Sequence, residues 1–169
     1  MEINTSDRGE QLAFETALGH SAPFTLAECS ALNKPLVISS VRKISLVQHC
    51  RNLPSLEIFT SEIKNVDFLA ASENLSTLKI ICSTLEEIQM LSRCQSLENL
   101  EIICTFVEDL SPLMDLPRLR RAVLLGNPWT EESYHQLRPK LLTTPTAEWK
   151  KTPVIEFSNT EDWQLTRQL

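Results

Sequence analysis

A spacing of 22 residues organises the middle of this 169-residue chain. Six apolar positions in residues 53–69 recur 22 and 44 residues later, and the same spacing carried backwards reaches residue 31. The aligned columns are Ala31/Leu53/Leu75/Leu97, Lys34/Leu56/Leu78/Leu100, Leu36/Ile58/Ile80/Ile102, Val41/Ile63/Leu85/Val107, Ile44/Val66/Ile88/Leu110 and Val47/Leu69/Leu91/Leu113. Of these 24 positions 23 are apolar, whereas a 42% apolar composition would supply about 10. The spacing therefore indicates a repeated structural unit.

Each unit divides into two halves with different periods. The first half alternates apolar and polar residues, which predicts a short strand with one buried face. The second half places apolar residues at intervals of three, which predicts a 3₁₀-like return arc. Because one unit cannot bury its apolar face alone, the units must stack as a parallel β-solenoid with one strand per unit. The constant spacing also predicts that the register between units never slips.

The alternating leucines followed by a hydroxyl residue resemble the leucine-rich repeat family, and specifically its short 22-residue class. The resemblance covers residues 31–127 and implies an α/β solenoid with a parallel β-sheet, about five rungs and helical caps at both ends. Where the family usually has Asn after the strand, this chain has the column Ser39, Ser61, Ser83, Thr105 and Asn127. Since a hydroxyl carries one donor and an amide two, we expect a polar ladder with a less regular turn.

Residues 1–30 are assigned to an N-terminal cap that is mainly helical. Thr25 and Glu28 have capping-box spacing, which predicts a helix over about residues 26–32. The segment 8–18 has two interpretations. It fits a helix that begins after Ser6 and stops at Gly19, which we favour, and it also fits a degenerate strand before the first repeat.

Residues 128–142 are assigned to a C-terminal cap helix. Within the string GNPWTEESYHQLRPKL, Thr130 suits the N-cap, and Trp129 and Tyr134 have the spacing of a hydrophobic staple. Leu137 continues the buried stripe. The string resembles the capping motif that follows many repeats of this class. Residues 143–169 are predicted to be a loop, an extra strand over 154–157 and a tail.

The net charge, the absence of long apolar stretches and the cysteine pattern restrict the partners and the cellular location that we expect for this chain. Sixteen basic against 22 acidic side chains give a net charge of −6, which argues against a nucleic-acid binder that needs a basic face. No apolar stretch has the length of a membrane span, and the first residues lack a signal-like apolar core. The five cysteines include no C-x-x-C pair, so reduced thiols are expected. Together these features predict a cytoplasmic protein without nucleic-acid or membrane partners.

No motif for catalysis, metal binding or cofactor binding is present in the sequence. Three glycines cannot build a phosphate-binding loop, and His20, His49 and His135 lack metal-ligand spacing. The cysteines fall at repeat positions that suit packing rather than nucleophilic chemistry. We therefore expect no enzymatic activity, no cofactor and no metal.

The outward-facing strand residues form the candidate partner surface on the concave face. One column is apolar and the column beside it is mixed, and both project away from the core. The first comprises Val37, Phe59, Ile81, Ile103 and Leu125, and the second comprises Glu57, Lys79, Glu101 and Val123. A continuous exposed apolar stripe usually marks a contact surface. The alternatives are that residues 152–169 cover it or that a homodimer shares it.

A second candidate surface is an acidic rim just past the strands. Its members are Glu86, Glu87, Glu108 and Asp109, and the corresponding positions of the first two units are mainly basic. Such a rim can steer a basic partner, although a solvated edge is the simpler interpretation.

These observations predict a non-enzymatic protein-protein interaction module, of the regulatory or inhibitory adaptor kind. An immunity-type protein that neutralises a toxin or an enzyme fits the same features. The alternative from another class is a structural subunit or homo-oligomer that buries the apolar stripe in self-contact.

Overall fold

The computed structural model describes residues 1–128, 132, 135–137 and 155–158. Two short strands and two helices precede a parallel sheet of six strands. The elements are β1 (Glu2–Ile3), α1 (Arg8–Leu18), β2 (Phe24–Thr25), α2 (Leu26–Ala31), β3 (Leu36–Ser39), β4 (Ser55–Ser61), β5 (Thr77–Ser83), β6 (Asn99–Ile103), β7 (Arg121–Leu125) and β8 (Ile155–Ser158). Strands β3 to β8 lie side by side in chain order, and β1 pairs antiparallel with β2.

The repeat forms the strand and return arc that its two periods predict. A 3₁₀ turn follows each of β3 to β6, at Val47–His49, Asp67–Leu69, Gln89–Arg93 and Ser111–Asp115. Leu56 pairs with Leu78, which in turn pairs with Leu100, so the register from β4 onwards follows the 22-residue spacing. The inward residues of these strands are buried and form one continuous core with the arcs. The predicted solenoid is confirmed.

The first junction of the sheet departs from that spacing. Leu36 pairs with Leu56, 20 residues further on, and Ile38 pairs with Ile58. The predicted register without a slip is therefore wrong at this point, and so is the buried strand position of Ala31 and Lys34, which are exposed. The first repeat has no earlier rung to pair with. Strand β3 therefore lies between a helix, α1, on one side and β4 on the other.

Residues 8–18 form helix α1, which decides between the two interpretations of this segment. The N-cap is Asp7 and not Ser6, because the Asp7 carboxylate accepts the amides of Gly9 at 2.9 Å and Glu10 at 3.2 Å. The helix ends at Gly19, whose φ of 82° is left-handed. The capping box of Thr25 and Glu28 is confirmed at the start of α2.

Two carboxylates of α1 bind the return arc of the first repeat. Asp7 accepts the backbone amide of Arg42 at 2.8 Å through its second oxygen. Glu10 is fully buried, and it accepts the amides of Ser45 at 2.8 Å and Leu46 at 2.6 Å. Burial alone would raise the pKa of Asp7, but the backbone amides of the arc and of α1 outweigh it and lower that pKa. The helix thus supplies the acceptors for the 3₁₀ turn that follows β3.

The predicted hydroxyl column forms a buried ladder in four of its five positions. Ser61 donates to Ser83 at 2.9 Å, and Thr105 donates to Asn127. Asn127 also donates to the carbonyl of Ile102 at 2.8 Å, which joins two neighbouring strands. Ser39 is not part of the ladder, because the slipped register places it on the outward face opposite Phe59. The residues just before Ser61 and Thr105 in the ladder, Thr60 and Cys104, have positive φ.

The C-terminal cap region and the segment after it each contain one described element. Residues 132 and 135–137 are helical and Leu137 is buried, while Trp129, Thr130 and Tyr134 lie outside the described residues. Within the segment assigned to a loop, an extra strand and a tail, Ile155–Ser158 forms β8, which pairs parallel with β7.

Candidate protein-binding face

Four outward residues from successive strands form one apolar stripe. Phe59 pairs with Ile81, Ile81 with Ile103, and Ile103 with Leu125. All four are half-buried, whereas the residues that precede them in the chain are fully buried on the other side of the sheet. The apolar stripe, defined as Phe59, Ile81, Ile103 and Leu125, therefore faces away from the core, as the alternation of strand residues requires.

Val37 does not belong to the apolar stripe, so its predicted place in that column is wrong. The two-residue slip puts Val37 opposite Glu57, while Ser39 stands opposite Phe59. Val37 is 51% exposed. Because Val37 stands opposite Glu57, it lies diagonally next to Phe59, which is two residues further along β4. The apolar surface therefore continues onto β3, but it changes direction there.

The mixed column beside the stripe is an ionic network. Glu57, Lys79 and Glu101 stand side by side on β4 to β6. The Nζ of Lys79 lies 3.0 Å from Glu101, and Arg121 bonds to the other oxygen of the same carboxylate. The hydrogen bond from Arg121, with a further one from Lys79, lowers the pKa of Glu101 against the effect of burial. Glu101 thus links Lys79 and Arg121 across three neighbouring strands.

The mixed column ends at Val123, which is only 3% exposed. Its predicted place in an accessible surface is wrong. Val123 stands opposite Glu101 as predicted, but β8 lies against the other edge of β7, with Glu156 opposite Val123. The sequence predicted an extra strand over 154–157 but not its place beside β7, so the position of Val123 between two strands was not foreseen.

Strand β8 also bears on the alternative that the C-terminal segment covers the stripe. Leu125 of β7 pairs with Ser158 of β8, so residues 155–158 extend the sheet at its edge. They do not lie across its outward face. The other residues of the 152–169 segment are outside the described part of the chain.

Arg121 is a member of this face that the sequence pattern did not single out. It lies two residues before Val123 and belongs to the outward column Ser55, Thr77, Asn99 and Arg121. The alternation of strand residues could have placed Arg121 on this face, because every second residue counted from Val123 points outward. What the pattern lacked was a reason to prefer this column, since its other members are uncharged.

The acidic rim carries less free charge than its sequence suggests. Glu86, Glu87, Glu108 and Asp109 are all exposed. Glu86 forms an ion pair with Lys64 of the preceding repeat. Asp109 accepts the amide of Ser111 at 2.8 Å and so stabilises the start of a 3₁₀ turn. Two of the four carboxylates therefore have a structural partner.

The cysteines of the return arcs are packed thiols. Cys50 and Cys94 are buried at equivalent places after their 3₁₀ turns. Burial raises the pKa of Cys94 to about 11, and a hydrogen bond with Cys29 together with burial raises the pKa of Cys50. Both therefore stay protonated at neutral pH, which makes them poor nucleophiles.

The described residues contain neither a cluster of metal-binding side chains nor a membrane-spanning helix. In that part of the chain, no three side chains of the metal-binding types converge. No helix there combines the length and the apolar character that a membrane crossing requires.

Ser72 shares the column of Cys50 and Cys94, but its buried hydroxyl has no hydrogen-bond partner among the residues that the structure describes. A buried unpaired hydroxyl costs about 1–3 kcal/mol. We expect Ser72→Cys to raise the free energy of unfolding by about 1 kcal/mol, because a thiol is easier to desolvate. Urea denaturation would measure this. Ser76→Cys is the control, since the Ser76 hydroxyl donates to the Pro54 carbonyl at 3.0 Å and its loss should destabilise. Equal effects at both positions would contradict the expectation.

Comparison with known proteins finds a likeness in structure alone. No family model matches the chain, and a search of curated proteins gives no match. Among solved structures, an internalin (inlF) from Listeria monocytogenes superposes with a TM-score of 0.64 at 21% identity, over 69% of this chain and 35% of that one. A second internalin of that species, inlC2, gives 0.41 at 19% identity over 91% and 93%. The CBM51-2 and INT domains of ZmpB from Clostridium perfringens give 0.44 at 20% over 61% and 20%.

The comparison with inlF bears on architecture only. The chain spans about a third of the length of that internalin, and at 21% identity the superposition compares folds rather than functions. Internalins are leucine-rich repeat proteins. The chain thus has the fold of a leucine-rich repeat solenoid.

Proposed function

We propose that this protein is a non-enzymatic binding module that holds another protein against the outward face of its sheet. The apolar stripe is the observation that carries the proposal. Four half-buried apolar side chains keep part of their surface accessible in one column on four neighbouring strands, over a length of about 14 Å. A contiguous apolar patch of this kind is typical of a surface that a partner covers.

The ionic network beside the stripe supports a protein as the partner. Protein interfaces combine an apolar centre with a polar rim whose hydrogen bonds are satisfied. Glu101 is already bonded to Lys79 and Arg121, so the rim is ordered before a partner arrives. Preorganised side chains lose less entropy on binding. Glu57 forms no ion pair within the described residues and is the charge left for a cation of the partner.

The finer assignments have support from other features of the chain. A role as a regulatory or inhibitory adaptor fits a domain whose one prominent feature is a binding face. A cytoplasmic location is supported by the buried free thiols of Cys29, Cys50 and Cys94. The 22-residue offset from β4 to β7 supports the short repeat class, and the buried Leu137 supports a C-terminal cap.

The proposal predicts that Ile103→Asp abolishes capture of a specific partner from native lysate. A carboxylate in the centre of the stripe would be desolvated without a counter-ion, and a central anchor contributes enough to expect a loss of 30-fold or more, on the order of 2 kcal/mol. Capture with mass spectrometry is the measurement, and circular dichroism checks the fold. Ile81→Asp on the adjacent strand is the second variant. Met114→Asp is the matched control, since Met114 is exposed on a 3₁₀ turn.

Two results would contradict the proposal. Equal capture by the wild type and by both folded stripe variants would show that the stripe is not the binding surface. A dimer mass in light scattering that becomes a monomer mass in Ile103→Asp would favour the self-association alternative instead.

A further inference from the structure

A cleft of about 290 Å³ lies between α1 and β3, beside the outward face of the sheet. This α1 cleft is defined by Leu12, Ala13 and Ala17 of the helix and by Pro35, Leu36 and Val37 of the strand segment. Leu12 is 54% exposed, and together with the exposed Val37 it leaves apolar surface open on both walls.

The lining of the α1 cleft is mainly apolar, and Thr16 and Ser39 supply its polar side chains. No charged residue is among those that line it. The hydroxyl of Thr16 already donates to the carbonyl of Leu12 at 2.8 Å. A charged group placed there would be desolvated without compensation, so the cleft selects for an apolar occupant.

The size of the cleft restricts the occupant further. Pockets that bind cofactors or drug-sized ligands have volumes of about 300–1,000 Å³, and this cleft falls just below that range. A single bulky side chain suits the space better than a small molecule. Anchor side chains that fill such a cleft usually carry much of the energy of a protein interface.

The cleft exists because of how α1 meets β3. Gly9 lies against the backbone of Ser39, so the helix touches the strand at its first turn. Further along α1 the facing residues are Ala13 and Ala17, whose side chains are too small to fill the space beside β3. Val37, an outward residue of β3, lies at the strand side of this gap.

The apolar stripe and the α1 cleft are continuous through Val37. Val37 lines the cleft and is also the outward residue of β3 that lies diagonally next to Phe59. The apolar surface therefore runs from Leu125 along the stripe to Phe59, bends to Val37 and ends at Leu12. A partner that covers the stripe has a direct path into the cleft.

We propose that the α1 cleft receives one bulky apolar side chain, such as leucine, phenylalanine or tryptophan, from the protein that covers the apolar stripe. The proposal rests on the proposed function for the identity of the partner. The affinity of the cleft for an apolar group does not depend on that function and can be measured alone.

The experiment is an NMR titration of the full chain with indole, which is the ring of the tryptophan side chain. A nine-atom apolar ligand in a fitting cleft should bind with a dissociation constant on the order of 1–10 mM. We expect saturable shifts confined to the amides of α1 and β3. Leu12→Asp and Val37→Asp should each weaken the binding at least tenfold, and both residues are exposed, so the fold should tolerate them. The matched control Ile103→Asp should bind indole as the wild type does.

The outcomes separate the cleft from the stripe. A partner whose capture is lost in Ile103→Asp and weakened about tenfold in Val37→Asp supports both proposals, provided that indole binds the cleft. If Ile103→Asp abolishes capture of the partner and Val37→Asp leaves it unchanged, the cleft proposal alone is wrong. If Ile103→Asp leaves capture unchanged, the proposed function is wrong. The cleft proposal is also wrong if indole causes no saturable shift there. It is equally wrong if NOEs place residues of a second copy or of this chain's own C-terminal segment in the cleft.

Discussion

Replacement of Glu10 by alanine is expected to lower the free energy of unfolding by about 3 kcal/mol. The Glu10 carboxylate is fully buried and accepts the amides of Ser45 and Leu46 together with the Ser45 hydroxyl. Alanine would leave these donors without a partner, and each buried unpaired donor costs about 1–3 kcal/mol. Urea denaturation measures the loss. Amide exchange should show that the loss begins at Ser45 and Leu46.

Two further variants test the reason for this expectation. Glu10→Gln keeps the shape but has one acceptor oxygen, and its NH₂ group would face the Ser45 amide, so an intermediate loss is expected. Glu15→Ala is the control on the same helix. Glu15 is half-buried; its carboxylate accepts a hydrogen bond from the Gln11 side chain at 2.8 Å and forms an ion pair with Arg8 at 3.9 Å. Replacement of Glu15 should therefore lower the free energy of unfolding by less than about 1 kcal/mol. Equal losses for Glu10→Ala and Glu15→Ala would mean that the buried carboxylate is not what holds α1 to the arc.

The regular part of the solenoid was predictable because the same local pattern repeats. From β4 to β7 each rung meets another rung with equivalent residues, so spacing in the sequence equals register in the sheet. Three columns of the repeat illustrate this: the buried leucines, the hydroxyl ladder from Ser61 to Asn127, and the apolar stripe. Each column needs only its own period to be recognised.

The ends of the solenoid were not predictable from the period, because their neighbours are not rungs. At the first strand the neighbour is α1, and the contact between Gly9 and Ser39 fixes a register that the 22-residue spacing does not contain. The last repeat strand, β7, has β8 as its neighbour, and Val123 of β7 is buried. Glu10 was missed for a related reason. A glutamate in a first helical turn is common for its interaction with the helix dipole, and nothing local indicates an arc 35 residues away.

Gly9→Ala is expected to destabilise the protein by about 2–3 kcal/mol, although helix propensity alone would favour alanine by about 1 kcal/mol. A Cβ at Gly9 would collide with the carbonyl oxygen of Ser39 and would lie 3.1 Å from that of Ser40. Both are backbone atoms, so no rotamer change can relieve the contact, and α1 or β3 has to move. Thermal and urea denaturation measure the net effect, and the opposite sign would refute the contact.

Gly19→Ala is the control that separates steric contact from backbone conformation. Gly19 has a left-handed φ of 82° and no neighbouring atom within 4 Å of an added Cβ. Alanine there should cost about 1 kcal/mol through strain alone and leave the NMR shifts of β3 unchanged, whereas Gly9→Ala should shift the amides of Val37 to Ser40. If Gly9→Ala were stabilising and left those amides unchanged, α1 would not rest on β3. The two-residue slip and the α1 cleft would then lose the contact from which both follow.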